Sequence, residues 1–252
     1  MPAPESAIRI VEVLPDLLAT YGDSGNAVVL QERLRRRGIA SERVRTGLSD
    51  PLPAEGDIYV LGGGEDTAQL LAVRALRGSS ALADVVARNR VVFAVCAGLQ
   101  ILGRTFTGAD GRTHSGLGLL DITTVPGRSR AVGEIVARPA TELLTVPLTG
   151  FENHLGVTTL GPDARPLGRV VRGTGNGLDR LEGVLAGQIV GTYLHGPALA
   201  RNPELADLLL GWAVGAPLPP LLLSSVDRLR RSRLLHRISP LDRIRRRPEA
   251  AA

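Results

Sequence analysis

Apolar residues fall in short blocks separated by longer stretches of helical period, the pattern of strands alternating with helices. Ile8–Leu14 is a β-rich run that ends at Pro15. It is followed by Tyr21-Gly22-Asp23-Ser24-Gly25-Asn26, a turn-rich segment with capping residues. Ala27, Leu30 and Leu34 then lie on one face of a helix that Gly38 stops. Asp57–Leu61 predicts a second strand, closed by Gly62-Gly63-Gly64, and helical stretches cover about 65–77 and 80–88. Val91–Val95 is almost continuously apolar, as a strand buried on both faces of a parallel sheet must be, and Cys96 stands at its C-terminal end. Beyond a short helix starting at Ala97 the pattern turns to strands between Gly and Pro residues: Leu119–Val125, Gly133–Ala137, Val157–Leu160 and Gln188–Leu194. Pro203–Val214 closes the pattern as a helix with proline in its first turn. With no repeat and no second domain in the pattern, the expectation is an α/β fold, one mostly parallel sheet flanked by helices.

Composition changes this picture little. A chain of 252 residues with 44% hydrophobic content can bury a substantial core. No stretch reaches the roughly 18 apolar residues of a membrane span. The opening Met-Pro-Ala-Pro-Glu-Ser lacks the charged and apolar regions of a signal peptide, and a single cysteine cannot form an internal disulfide. Both predict a cytoplasmic protein. The net charge of +5 suggests nucleic acid until its distribution is read. Residues 221–252 hold nine arginines against Asp227, Asp242 and Glu249, so the rest of the chain is near −1. With aromatics at 3%, stacking platforms for bases are not expected either. The division predicted is a folded domain over 1–220 and a basic tail over 221–252. Leu222, Val226 and Leu229 recur in that tail at helical spacing, which suggests an amphipathic segment that docks on a partner.

Candidate chemistry gathers at strand ends. Val92-Phe93-Ala94-Val95-Cys96-Ala97-Gly98-Leu99-Gln100 reads as strand, tight turn and helix, the geometry of a nucleophile elbow. A helix N-terminus aimed at the sulfur favours the thiolate, and the Ala97 N–H is placed to meet an oxyanion. On this segment alone an inert core cysteine is as good a reading. The glycine triplet tips the balance, because C-terminal ends of parallel strands share one edge and its backbone amides can reach the same oxyanion. Of the four histidines, His195 is the candidate base, delivered by Gln188–Leu194 at another strand end. His236 lies in the basic tail and His114 in a polar loop. Asp23 reads as a helix cap rather than as part of the chemistry.

Val-Cys-Ala-Gly-Leu-Gln, the glycine triplet and Gly-Thr-Tyr-Leu-His-Gly-Pro together resemble the class I (triad) glutamine amidotransferases of flavodoxin-like fold, on the cobyric acid synthase branch. Tyr21–Asn26, Gly150-Phe151-Glu152-Asn153-His154 and Gly191–Pro197 narrow the resemblance to the glutaminase subunits of lipid II isoglutaminyl synthases, over about residues 8 to 215. The resemblance implies that Cys96 attacks the carboxamide of L-glutamine, with His195 as acid and base and with Gly63, Gly64 and Ala97 around the oxyanion. It places Gln100 against the substrate and Arg130 near the substrate carboxylate, with Arg128 as the competing arginine. Ammonia would pass to a Mur-ligase-like subunit in a heterodimer. That partner would use ATP and magnesium to amidate the D-glutamate α-carboxylate of lipid II, in peptidoglycan synthesis near the inner face of the membrane.

No cofactor or metal is expected in this chain, which has no phosphate-binding Gly-x-x-x-x-Gly-Lys loop and no lysine at all. Two readings compete: a non-catalytic scaffold subunit, and an amidotransferase for another acceptor such as a corrinoid. One departure from the class stands out. Most of its members carry a glutamate two residues after the histidine, where this chain has Pro197. The orienting acid is therefore expected from the partner in trans, with Glu152 or Asp23 as alternatives within the chain.

Overall fold

The computed structural model describes residues 7–108, 110–177, 179–221 and 223–235. The first half alternates strand and helix: β1 (Ile8–Val13), α1 (Gly25–Arg35), β2 (Ser41–Thr46), β3 (Ile58–Leu61), α2 (Asp66–Arg77), α3 (Ala81–Ala87), β4 (Val91–Val95) and α4 (Ala97–Leu102). A strand-rich part follows: β5 (Thr105–Thr107), β6 (Thr113–Ser115), β7 (Ile122–Pro139), β8 (Leu148–Leu160), β9 (Gly168–Arg172), β10 (Leu181–Glu182), β11 (Val184–Ala186) and β12 (Ile189–Thr192). The chain ends on α5 (Ala198–Arg201), α6 (Pro203–Val214) and α7 (Ser224–Leu235).

The first sheet has the order β11-β12-β4-β3-β1-β2, parallel throughout except for β11. Every residue of β3 and β4 is buried, and the period of two divides them between the two faces. Val91, Phe93 and Val95 join a core with Leu30 and Leu34 of α1 and Leu205 and Leu209 of α6. Val92 and Ala94 join the opposite core with Val73 and Leu76 of α2 and Val85 of α3. Burial on this scale is the main stabilising term, about 25 cal/mol per Å² of apolar surface.

Two features depart from the expected single sheet. β2, Ser-Glu-Arg-Val-Arg-Thr, carries no apolar alternation, yet it pairs with β1 over six residues at the sheet edge. Charged side chains suit an edge strand, and here Glu42 and Arg43 pair with Arg9 and Glu12 of the neighbouring strand. The second departure is a separate sheet, β10-β9-β7-β5-β6 with β8 paired to β7. Its spine is the long antiparallel β7–β8 ladder, interrupted by a register shift between Pro126 and Ala131. The runs at Leu119–Val125 and Gly133–Ala137 predicted the two ends of β7 as separate strands, and Val157–Leu160 predicted only the C-terminal end of β8. A bridge joins the two sheets at the critical place: the His195 N–H donates to the Phe151 carbonyl of β8 at 2.8 Å.

The chain divides into two compact units, one ending at Leu221 and one beyond it. The second is described only over α7, a helix holding Arg228, Arg230, Arg231 and Arg233, with Val226 half-buried and Leu229 exposed. Leu222 and residues 236–252 of the predicted docking tail lie outside the described residues.

Candidate active site

Four strands of the parallel sheet end on one edge, and each brings a part of the site there. β4 ends in Cys96, whose φ of 51° and ψ of −105° are rarely adopted by a residue with a side chain. The strain is held by packing on both sides of the turn. The Gly98 N–H bonds to the Gly62 carbonyl at 3.1 Å, and a methyl group on Gly98 would sit 2.8 Å from the Leu61 carbonyl oxygen. Only glycine lets α4 start so close to β3. This turn points the half-exposed thiol out of the sheet edge.

β12 runs on to His195, which is fully buried. Its Nδ1 is 2.9 Å from Oδ2 of Asp23, a fully buried carboxylate in the loop after β1. The same oxygen accepts the Gly63 N–H at 2.8 Å. The Nδ1 proton is thereby fixed, and Nε2 is left facing Cys96 with no other partner. Burial works against charge on His195, but the Asp23 carboxylate and Cys96 outweigh it and push the imidazole up to about 10. The proton therefore resides on this ring at neutral pH.

These contacts correct three expectations. Asp23 is not a helix cap: Ser24 takes that position, without a side-chain bond to the helix, and the Asp23 carboxylate turns to the histidine instead. The orienting acid does not come from elsewhere, because Asp23 of the same chain already holds Nδ1. Glu152, the other internal alternative, spends its carboxylate on the Thr174 and Gly175 N–H groups. Gly63 does not offer its amide to an oxyanion, since that N–H belongs to Asp23. Gly64 and Ala97 do line the cleft beside Cys96, and the Ala97 N–H is among the first-turn amides that a helix leaves without a partner.

The glycine triplet thus seats the Asp23 loop. A methyl group on Gly62 would lie 2.2 Å from the Leu18 carbonyl oxygen, and one on Gly63 would lie 2.7 Å from the His195 ring. Pro197, where the class has its acid, lies against Gly25 at the start of α1, and the Leu199 N–H bonds to Asn26 Oδ1.

The cleft holds about 250 Å³ and is lined by Cys96, His195, Gln100, Thr124, Arg130 and His154, among others. That volume suits a molecule of amino-acid size. Gln100 reaches it with its amide held at both ends, by Gln69 at 2.8 Å and by the Tyr193 hydroxyl at 3.0 Å. Arg130 lines it from the irregular stretch of β7, bonded to Asn153 Oδ1 at 2.7 Å, whereas Arg128 is not among the lining residues. His154 is buried, stacked on Tyr193 with ring centres 3.9 Å apart. Tyr21 stands edge-on to His195 at 5.1 Å, bonded to Asn153. Sequence reasoning missed Gln69, Tyr193 and Tyr21, whose positions follow from tertiary contacts rather than from a local pattern.

Chemically, a strained thiol beside a carboxylate-held imidazole, with Gly64 and Ala97 lining the same cleft, defines a site for acyl transfer through a thioester. The chain belongs to the CobB/CobQ-like glutamine amidotransferase domain family, whose model matches residues 9–203. It is 35% identical over 219 residues to the lipid II isoglutaminyl synthase (glutamine-hydrolyzing) subunit GatD of Staphylococcus aureus strain N315, covering 84% of this chain and 88% of that one. It is 34% identical over 211 residues to the GatD subunit of Streptococcus pneumoniae strain ATCC BAA-255 / R6, covering 82% and 80%. A glutamine amidotransferase of Thermotoga maritima solved by crystallography shares the fold, with a TM-score of 0.55 at 16% identity over 91% of this chain and 94% of that one. Among the described residues no helix is long and apolar enough to cross a membrane.

Proposed function

We propose that this chain hydrolyses L-glutamine and hands the ammonia to an ATP-dependent partner. The observation that carries the reading is the Cys96–His195–Asp23 arrangement opening into a cleft walled by Gln100 and Arg130. The Cys96 thiolate adds to the carboxamide carbon, and the Gly64 and Ala97 amides take up the charge on its oxygen. His195 gives its Nε2 proton to the departing nitrogen, which leaves as ammonia, and a γ-glutamyl thioester remains on Cys96. Water then gives a proton back to His195 and attacks the thioester, releasing glutamate and restoring the thiolate. Asp23 holds the neutral imidazole in the right tautomer, stabilises the imidazolium and fixes the orientation of the ring throughout. Gln100 and Arg130 bind the amino-acid end of the substrate.

The similarity to two GatD subunits supports a place in lipid II isoglutaminyl synthesis. On this reading the partner is a Mur-ligase-like subunit in a heterodimer in the cytoplasm, acting near the inner face of the membrane. It uses ATP and magnesium to amidate the D-glutamate α-carboxylate of lipid II, while this chain needs no cofactor. The Arg-rich segment after residue 220 docks on that partner.

The test is glutamate release by the full chain with and without its co-purified partner, and labelling by a glutamine-analogue electrophile. Wild-type protein is expected to release glutamate and to be labelled at Cys96 alone, and Cys96→Ser to do neither. Glutamate formation by Cys96→Ser would remove the reading.

A further inference from the structure

One side-chain amide joins the two ends of the cleft. Arg130 Nη1 donates to Asn153 Oδ1 at 2.7 Å, and Asn153 Nδ2 donates to the Tyr21 hydroxyl at 2.7 Å. The direction is fixed because a guanidinium has no acceptor: the amide oxygen must face Arg130, which leaves the amide nitrogen for the phenol. Arg130 spends one of its five N–H groups there and keeps others for a ligand. Tyr21 passes the contact on through its ring, which stands edge-on to the His195 imidazole with ring centres 5.1 Å apart. All four side chains line the same cleft.

The backbone around Tyr21 is shaped to hold it there. Its φ of 60° and the 82° of Gly22 put two successive residues in the left-handed region, which a bulky side chain rarely adopts. Just before this turn the Thr20 N–H bonds to the Gly63 carbonyl at 3.0 Å, and Asp23 follows directly after it. Tyr21 is 43% exposed while His195 is wholly buried, so the phenol ring covers the imidazole. β8 therefore grips the histidine twice. Phe151 bonds to its backbone, and Asn153, two residues on, reaches its ring through Tyr21.

We infer that Asn153 is a positioning residue that acts on both ends of the cleft at once. Its oxygen steadies Arg130 for the charged end of the substrate. Its nitrogen steadies Tyr21 and, through that ring, the His195 imidazole. The bond from Asp23 alone is an axis about which the imidazole can rock, and a ring set edge-on against it removes that motion. The inference rests on the glutamine-hydrolysis reading above and links substrate binding to the acid–base group within it.

The test is steady-state glutamine hydrolysis by the full chain with its co-purified partner. The kcat is expressed per Cys96 labelled by a glutamine-analogue electrophile, so that misfolded protein is not counted. Tyr21→Phe keeps the ring and removes its anchor, and kcat is expected to fall about five- to tenfold with KM within about twofold of wild type. Asn153→Ala should lower kcat by the same factor and also raise KM about five- to tenfold, because Arg130 loses its support. In the double variant kcat should lie within about twofold of either single variant, since both changes remove one contact. Asn153→Asp should return kcat to within about twofold of wild type, the phenol now donating to the new oxygen. Its KM should stay high, because that carboxylate competes with the substrate for Arg130. Wild-type kcat in Tyr21→Phe overturns the inference, and so do multiplied losses in the double variant. A change in KM alone for Asn153→Ala overturns it by marking a direct substrate contact. Fewer labelled sites with normal kcat per site overturn it by marking a structural role. If those outcomes come with normal glutamate release by wild-type protein, only the role of Asn153 falls. If wild-type protein releases no glutamate, the parent reading falls with it.

Discussion

The Asp23 carboxylate and the His195 imidazole, 172 residues apart in the chain, meet at 2.9 Å with both side chains fully buried. The carboxylate holds the Nδ1 proton and so aims Nε2 at Cys96, which makes Asp23 the member of the site that sets the state of the other two. Asp23→Asn keeps the shape and removes the charge, and its amide can force the wrong tautomer. The expected result is a fall in kcat of about 10²- to 10⁴-fold with unfolding behaviour little changed. The pH profile gives a second readout. His195 is pushed up to about 10, so the activity that needs its proton is present at neutral pH and is lost as pH rises through that value. In Asp23→Asn the alkaline limb should move to lower pH. An Asn variant with wild-type kcat and profile would show that the contact is not used.

Gly63 lies against all three groups and leaves no room there for a side chain. A methyl group there would lie 2.7 Å from His195 Cε1, 3.1 Å from Asp23 Oδ2 and 3.5 Å from Cys96 Cβ. The ring is rigid and enclosed, so it must move as a whole. Gly63→Ala should lower kcat at least about a hundredfold, because misplacement of reacting groups by an ångström is that costly. Overpacking of this kind also costs about 1–3 kcal/mol of stability. Steady-state kinetics and a denaturant titration on the same preparation separate the two effects.

The parallel sheet was legible because burial on both faces leaves an unbroken apolar run, and Val91–Val95 is such a run. The places of Cys96 and His195 at strand ends followed from it. Two things were not legible, each for a physical reason. β2 is an edge strand whose charges face solvent and ion pairs, so the alternation that marks a strand is missing. The role of Asp23 depends on a contact between distant segments, while its local surroundings are those of a cap, Asp-Ser-Gly-Asn before an apolar helix. The glycine triplet did carry a signal, although its meaning was different. Three successive glycines mark backbone that another loop must approach closely, and that loop is the one bearing Asp23. Pro197 in the place of the family's acid was the sequence's own indication that the carboxylate comes from another element.

Glu182 should set part of the pH dependence of stability. It is completely buried, and Oε1 accepts the Thr192 hydroxyl at 2.5 Å and the Tyr193 N–H at 3.0 Å, which ties down the strand leading to His195. Burial pushes its carboxyl up to about 7, above the ordinary 4.5, and Glu152 adds to the shift. A raised acid favours the folded state while protonated. Its contribution is therefore full below about 4.5 and is lost as pH rises through about 7. Glu182→Gln keeps an oxygen for both donors and removes the titration. The unfolding free energy of the variant should vary less between pH 4.5 and 7, by up to about 3 kcal/mol. Parallel curves for the two proteins over that window would exclude ionisation of Glu182 as the cause.

Asp207 of α6 holds two arginines of the α1 region at once. Arg33 Nε donates to Oδ1 at 2.7 Å and Arg33 Nη2 to Oδ2 at 2.5 Å, a forked pair, and Arg37 Nη2 lies 2.8 Å from Oδ1. The three side chains are 14% exposed or less, so these charges are largely cut off from water. Removing the single carboxylate leaves two guanidinium groups buried without their counter-charge, a change that costs about 3–5 kcal/mol in comparable buried pairs. The helix that Asp207 anchors, α1, begins at Gly25 directly after the Asp23 segment. Asp207→Ala is therefore expected to lower the denaturation midpoint markedly, and Asp207→Asn to lower it less, because the amide oxygen still accepts one bond. Since no atom of Asp207 touches the cleft, kcat at a temperature well below the midpoint should stay within about twofold of wild type. A variant with normal stability would show that solvent screens this network despite its burial. A variant that is stable but inactive would show that α1 steers Asp23 through more than its packing.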